Sequence, residues 1–283
     1  MILIDLNQVL IASIMAQLGN NPEIQEDLIR HMCLNIIRNH IKKFKKEYGN
    51  VVLCSDSRKY WRKEYFPYYK AGRKAAREDS GLDWNKLFEI INKIKVELKE
   101  NFPYKMIEVE GAEADDIIGT LVPRHINSEN IMIISNDHDF IQLQRWNNKF
   151  KVKQLNPIRK EFIVSKDPIS DLKEKIIRGD KGDGIPNILS PNNTFVEGKR
   201  QKTIKAEKFN ELISSNLNEH YEEEIRIGFS RNQKLIDLTF IPIEIKEKII
   251  NEYDNFVPAN KQKLLSYFIK NRLKNLIDCL EDF

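Results

Sequence analysis

Residues 110–139 read Glu110-Gly-Ala-Glu113-Ala-Asp115-Asp116-Ile-Ile-Gly119, then a short connector, then Ile131-Met-Ile-Ile-Ser135-Asn-Asp137-His-Asp139. Four consecutive apolar residues ending in polar ones are the pattern of a buried parallel strand, and Glu113-Ala-Asp115-Asp116 ahead of an apolar pair is the pattern of a helix start. Glu113 and Asp116, three apart, share a face of that helix, with Asp115 beside them. Ligands of open α/β sheets gather beyond the carboxyl ends of the strands, where Asp137 and Asp139 would stand. Five carboxylates meeting there repel one another unless cations lie between them. Either cluster alone has a plainer reading: acids at a helix start cap it and complement its dipole, and an Asp after a strand makes a turn.

Working outward, two more apolar runs end in Asp: Met1–Leu6 carries Asp5, and Val51-Val-Leu-Cys-Ser-Asp56 carries Asp56. Between them, Leu28, Ile29, Met32, Ile36, Ile37, Ile41 and Phe44 form a helical stripe over 25–47, closed by Gly49. A third strand is predicted at Lys105–Val109 after a helix near 84–100, and a fourth at Ile131–Ser135. Strands alternating with helices imply an α/β fold, a central mainly parallel twisted sheet with helices on both faces. In such a sheet the three strand ends lie along one edge. Turn chemistry alone does not readily put Asp at all three. Asp180 and Asp183, in Arg178-Gly-Asp-Lys-Gly-Asp-Gly184 after a predicted helix over 168–178, complete nine acids. Together they favour a divalent-metal site over separate caps and turns.

The segment 58–77 interrupts this rhythm. It holds eight Lys or Arg against one Glu, a local +7 that leaves −3 for the rest of a chain whose net charge is +4. Six aromatics are interleaved: Tyr60, Trp61, Tyr65, Phe66, Tyr68 and Tyr69. Bases neutralise phosphates and exposed rings stack on unpaired nucleobases, so a partly mobile segment contacting nucleic acid is expected. The plainer alternative is a helix with its rings on the core and its cations solvated, since long basic side chains snorkel. Pro67 and Gly72 speak against one regular helix. Further on, 150–165 reads as a hairpin and 184–208 as a long connection carrying a basic patch of Lys199, Arg200, Lys202, Lys205 and Lys208. That patch is either a solvated face or a contact to a duplex backbone. Helices are expected at 203–215, 242–253 and 259–280.

Composition narrows the chemistry. Five histidines and three cysteines (Cys33, Cys54, Cys279) show no ligand spacing, so the thiols are expected free in a reducing cytoplasm. Any metal would then be held by oxygen, which suits Mg2+ or Mn2+. No apolar run is long enough to span a membrane, and Met1-Ile-Leu-Ile-Asp5 is no signal peptide.

The ordered set Asp5, Asp56, basic-aromatic insertion, Glu113-Ala-Asp-Asp116, Ser135-Asn-Asp-His-Asp-Phe140 and Gly179-Asp-Lys-Gly-Asp183 resembles the 5′-nuclease (flap endonuclease) superfamily. Within it, the likeness is nearest to the branch formed by ribonucleases H of T-even-type bacteriophages. It runs over most of the chain, to the ending Ser266-Tyr-Phe-Ile-Lys270. The resemblance implies an α/β nuclease core at 1–165 with a helical arch at about 57–80, and a helical DNA-binding region at 166–283 that contributes Asp180 and Asp183. It implies a magnesium-dependent 5′→3′ exonuclease and flap endonuclease with ribonuclease H activity, removing RNA primers during DNA replication. Asp5, Asp56, Asp115 and Asp137 would hold a first ion, with Glu113 and Asp116 in the catalytic group; Asp139, Asp180 and Asp183 would hold or orient a second. Mn2+ would substitute for Mg2+. Lys70 and Arg73 fall where members place arch cations facing the scissile phosphate. Arg58, Tyr60, Trp61, Arg62, Tyr69, Arg77, Lys199, Arg200 and Lys202 would contact nucleic acid.

Implied partners are RNA·DNA hybrids, 5′ flaps and nicked or gapped duplex DNA, with a single-stranded-DNA-binding protein and a sliding clamp as replisome contacts. A monomer in the cytoplasm (of the host, if phage-encoded) is expected. The chain departs from many members in lacking a Gly-x-Gly turn within 187–203. It starts at its first strand, so no partner-binding N-terminal extension is expected, and no clamp-binding peptide is recognisable at the C-terminus. Two rival readings are an inactive module that binds branched DNA and a toxin-type metal-dependent ribonuclease. The first predicts a missing acid, and the second needs neither the insertion nor the Asp180/Asp183 pair.

Overall fold

The computed structural model describes residues 1–18, 24–215 and 221–283. In chain order the first half comprises β1 (Ile2–Asp5), α1 (Leu6–Leu18), α2 (Glu26–Tyr48), β2 (Val51–Ser55), α3 (Trp61–Tyr65), α4 (Arg73–Glu78), α5 (Trp84–Asn101), β3 (Lys105–Glu108) and α6 (Ala114–His125). There follow β4 (Ile131–Ile134), a 3₁₀ segment (His138–Trp146), β5 (Val152–Leu155), β6 (Phe162–Ile163), α7 (Pro168–Arg178), α8 (Ala206–Ser214), α9 (Glu223–Ile236), α10 (Ile243–Asn255), α11 (Lys261–Lys270) and α12 (Lys274–Ile277). Among the described residues no helix is long and apolar enough to cross a membrane.

The six strands pair in the order β3-β2-β1-β4-β5-β6, parallel throughout except for the antiparallel β6. Alternation along each strand splits the interior in two. Ile2, Ile4, Leu53 and Ile134 face a core built with α1, α2, α5 and α11. Leu3, Val52, Ile107 and Ile133 face the other, built with α6 and α10. Helices after residue 166 complete both cores, through Leu264 and Phe268 on one side and Ile245 and Ile249 on the other. A third cluster joins the insertion to α7 and α9 through Phe66, Tyr69, Leu172, Ile176 and Phe229.

Local chemistry sets the elements that matter for the site. The chain runs outward from β1 to β2 and β3, then returns to the other side of β1 as β4. The β1/β4 gap is therefore the topological switch point, where a crevice opens at the carboxyl ends. The helix start at Glu113 takes Asp56 as an outside cap, the Ala114 amide donating to Asp56 Oδ1 at 2.8 Å. Asp167 caps α7 by accepting from the Ser170 amide at 3.1 Å, Pro168 fits its first turn, and Gly179 ends it with φ 71°.

Two helices lie where none was expected, and one expected helix is divided. The helix α1 directly after β1 was not anticipated, because Leu6–Leu18 is apolar on most sides and shows no stripe. The helix α9 was not anticipated either. The single helix expected over 259–280 is broken at Asn271–Leu273, where Arg272 takes φ 55°.

Candidate metal centre

Asp5 and Ser135, at the ends of β1 and β4, are joined directly: Ser135 Oγ donates to Asp5 Oδ2 at 2.9 Å and accepts from the Asp137 amide at 3.0 Å. Gln154 fastens the same corner from β5, its side-chain amide donating to the carbonyls of Ser135 at 3.1 Å and Asp137 at 2.6 Å. From β2, Asp56 accepts from Asn7 Nδ2 at 3.0 Å and from the first turn of α6. Carboxylate oxygens of Asp115, Asp137 and Asp139 lie within 4.8 Å of one another. This trio crosses the expected division, which put Asp139 with the second ion. The donors are all oxygens, the hard set that suits Mg2+ or Mn2+.

The electrostatics separate two groups of acids. Burial, then Asp56 and Asp137, pushes the Asp5 carboxyl from 3.8 up to about 8. Burial and Asp137 raise Asp115 well above the ordinary carboxylate range, and burial raises Asp137 against the pull of Lys175. Among the described residues no Lys, Arg or His nitrogen lies within ion-pair distance of Asp5, Asp56, Asp115 or Asp137. The remaining acids are paired. Lys175, on α7, contacts Asp139 and lies 2.9 Å from Asp180 Oδ2. Asp183 accepts from Tyr69 Oη at 2.9 Å and Arg73 at 2.6 Å, with Lys70 at 3.7 Å. Burial works against its charge, but Lys70 and Arg73 hold Asp183 below its ordinary range. Glu113 takes Lys70 at 2.6 Å and Arg62 at 3.1 Å.

Four expected roles are corrected by these contacts. Asp116 is fully buried, bonded to the Glu113 amide at 2.9 Å and Trp61 Nε1 at 3.2 Å and ion-paired with Arg62 at 2.8 Å. It is a helix-start and core residue, as the plainer reading had it, and does not face the cleft. Trp61, Arg62 and Tyr69 are 7%, 2% and 2% exposed, so they offer no stacking surface or phosphate contact. The reason is the Glu113/Asp116 pair, which needs buried donors, and Arg62 with Trp61 supplies them. The aromatic-core alternative thus holds for Trp61, Phe66 and Tyr69, but not for the exposed Tyr65, and the buried Arg62 departs from its solvated cations. Arg58 remains exposed, Tyr60 half-buried, and Arg77 lies over the rings of Trp84 at 5.7 Å and Phe88 at 4.9 Å.

Two tight turns bring the insertion to the acids. The Lys70 amide donates to the Asp183 carbonyl at 2.7 Å. A side chain at Gly184 would put its Cβ 2.9 Å from the Tyr68 carbonyl, so glycine permits the approach. Between the insertion and α5 a cleft of about 890 Å³ opens beside Asp56 and Glu113, with Arg58, Lys63, Arg73 and Lys74 on one side and Asn92 and Lys95 on the other. Lys199, Arg200 and Lys202 are exposed on the 187–203 loop and make no ion pair with the acids described. That loop has no Gly-x-Gly turn but is pinned from below. Arg231 donates to the carbonyls of Pro186 at 2.7 Å, Asn187 at 3.1 Å and Ser190 at 3.2 Å.

Sequence reasoning missed Lys175, Arg231, Ser135 and Gln154. A lysine in the last turn of a helix reads as a dipole complement, and nothing in its spacing points to Asp139.

With this geometry, the chain belongs to the 5′-3′ exonuclease family: the model of its N-terminal resolvase-like domain matches residues 1–174. The model of the T4 RNase H C-terminal region matches residues 167–283. Ribonuclease H of Enterobacteria phage T4 is 32% identical over 296 aligned positions, 99% of this chain and 95% of the relative. A 5′-3′ exonuclease of Buchnera aphidicola is 34% identical over 161 positions, covering 55% of this chain and 53% of its own length. Among solved structures, the phage T5 D15 protein co-crystallised with metal ions superposes with TM-score 0.62 at 18% identity, covering 89% of this chain and 98% of its own. The T5 D15 flap endonuclease in a pseudo-enzyme–product complex with DNA and metal ions gives 0.62 at 16% identity, covering 90% and 99%. At these identities the two structures show the fold.

Proposed function

We propose that this 5′ nuclease hydrolyses phosphodiester bonds from the 5′ ends of RNA·DNA hybrids, duplex DNA and 5′ flaps, using two Mg2+ ions, and removes RNA primers in DNA replication. The observation that carries the reading is the convergence of Asp5, Asp56, Asp115 and Asp137 at the switch point with, among the described residues, no protein cation within ion-pair distance of any of them. Burial first, and neighbouring acids second, raise the pKa values of Asp5, Asp115 and Asp137, which makes the group a fitting cradle for hard cations. Asp5, Asp56, Asp115 and Asp137 would hold the first ion; Asp139, Asp180 and Asp183 would hold or orient the second. When bound, such ions supply the positive charge that activates water and offsets charge developing on the phosphoryl oxygens.

The chain's own residues do the positioning. Ser135 and Gln154 fix the Asp5/Asp137 corner, and the α6 start fixes Asp56 and Asp115. Lys70 and Arg73, paired with Glu113 and Asp183 at the edge of the acidic group, are the cations that would offset charge on a transferring phosphoryl group. The basic cleft beside α5 suits a single strand held by its backbone, and Lys199, Arg200 and Lys202 suit duplex phosphates, so little base readout is expected. A single-stranded-DNA-binding protein and a sliding clamp are the replisome contacts that the family likeness suggests.

Asp137→Asn tests the reading on a 5′ flap and on an RNA·DNA hybrid. Magnesium-dependent cutting should fall by at least about a thousandfold, the scale of losing a principal transition-state stabiliser, with substrate binding retained. Undiminished cutting would refute the metal mechanism.

A further inference from the structure

We infer that Lys175 is a resident counter-ion of the second acidic group, which a second divalent ion must displace, so that Lys175 sets the weaker of two unequal ion affinities. This rests on the metal-dependent reading above.

The contrast between the two groups of acids carries the inference. Asp5, Asp56 and Asp137 accept from neutral donors, Ser135, Asn7 and backbone amides, and Lys175 and Lys70 act on Asp137 and Asp115 only from beyond ion-pair distance. Asp139 and Asp180 share one ammonium, which touches the first and lies 2.9 Å from the second. A divalent ion drawn to the oxygens that face Lys175 meets a fixed positive charge, whereas an ion entering among the other four acids relieves their mutual repulsion.

Lys175 is also firmly placed. It lies in the last turn of α7, where a cation complements the helix dipole. Its neighbours Leu172, Ile176 and Ile177 are buried, and Asn232 Nδ2 donates to the Ile176 carbonyl at 2.8 Å. The ammonium links the 3₁₀ segment carrying Asp139 to the 180–185 turn carrying Asp180. The third acid of the group, Asp183, is covered in the same way by Arg73 and Lys70. A substrate phosphate that drew those two cations away would free Asp183 for the ion. The second ion would then be favoured by substrate. A purely structural Lys175, tying α7 to the 3₁₀ segment, would leave ion affinity unchanged when its charge is removed and its bulk kept.

Calorimetric titration of the full chain with Mn2+ alone, in wild type, Lys175→Met and Lys175→Arg, decides between them. Two classes of site are expected in wild type, the second at least about tenfold weaker. Lys175→Met should tighten the second class by about fivefold or more and leave the first within twofold, while Lys175→Arg keeps the wild-type ratio. A second class unchanged or weakened in Lys175→Met overturns the inference. So do two classes of equal affinity in wild type, a measurement that stands even if Lys175→Met fails to fold. One ion of the same affinity in all three proteins, with cleavage intact, ends the role of Lys175 alone; no Mn2+ bound by any of them ends the metal-dependent reading as well.

Discussion

Lys70 has a backbone φ of 56°, a region that non-glycine residues occupy at a cost of about 1 kcal/mol or more. Its amide is tied to the Asp183 carbonyl and its ammonium to Glu113, so the surrounding contacts hold it there. Burial disfavours the ammonium, yet Asp183 and Glu113 keep its pKa well above the ordinary range, and it stays charged at any working pH. Lys70→Ala is expected to slow cleavage of a 5′ flap by about 10²–10³ while weakening flap binding by less than about tenfold. Single-turnover rates beside a binding titration check this; equal losses in both would make Lys70 an affinity residue. The position of Lys70 was legible through its place in the insertion, but its φ was not. Nor could alternating bases and rings reveal which are buried. Arg62 and Trp61 point inward because Glu113 and Asp116 must be satisfied there, a pairing 51 to 55 positions away in sequence.

The turn Gly179–Ile185 shows how an element carries function. Asp180 and Ile185 exchange backbone hydrogen bonds of 2.8 and 2.7 Å, which sets both Asp180 and Asp183 on the rim. A Cβ on Gly179 would lie 2.3 Å from the Ile185 carbonyl oxygen, at a φ of 71° that L-residues avoid. Gly179→Ala should therefore cost about 2 kcal/mol or more and depress cleavage together with stability. Thermal melting and flap cleavage measured on one preparation would check it; a variant that melts like wild type would show that the turn yields. Elements with a clear apolar pattern were readable, and α7 and four of the five parallel strands lie close to where the sequence put them. The helix α9 was not, because its inward side includes Arg231 and Asn232, which satisfy loop carbonyls in place of packing on apolar groups, and Gly228, which lets the Ile188 carbonyl approach.

Across the whole molecule, ionisation couples the site to stability. The Asp5 carboxyl rises from 3.8 in an ordinary setting to about 8 in the fold. Below about pH 4 both folded and unfolded chains carry its proton and no stability is lost. Between about 4 and 8 the unfolded chain ionises first, so the metal-free protein should lose stability as pH rises. Ions need the ionised form, so magnesium should stabilise more strongly toward the upper end of that window. At about 100 times its Kd a bound ion adds roughly 2.7 kcal/mol, or about 5 °C or more in Tm for a chain of this size. Melting curves from pH 5.5 to 8.5 with and without Mg2+ check this, and a magnesium increment independent of pH would contradict it. The gathering of acids along one sheet edge was legible because parallel topology fixes where strand ends lie. Their division into bare and ion-paired groups was not, because it depends on partners brought in from α7 and the insertion. The insertion is also riveted asymmetrically: Trp61, Phe66 and Tyr69 are sunk in packed clusters, while Gly72–Ser80 is largely exposed. On the proposed reading, an incoming strand would therefore meet the exposed cations Arg73 and Lys74 first, held out from a footing that the buried rings keep rigid.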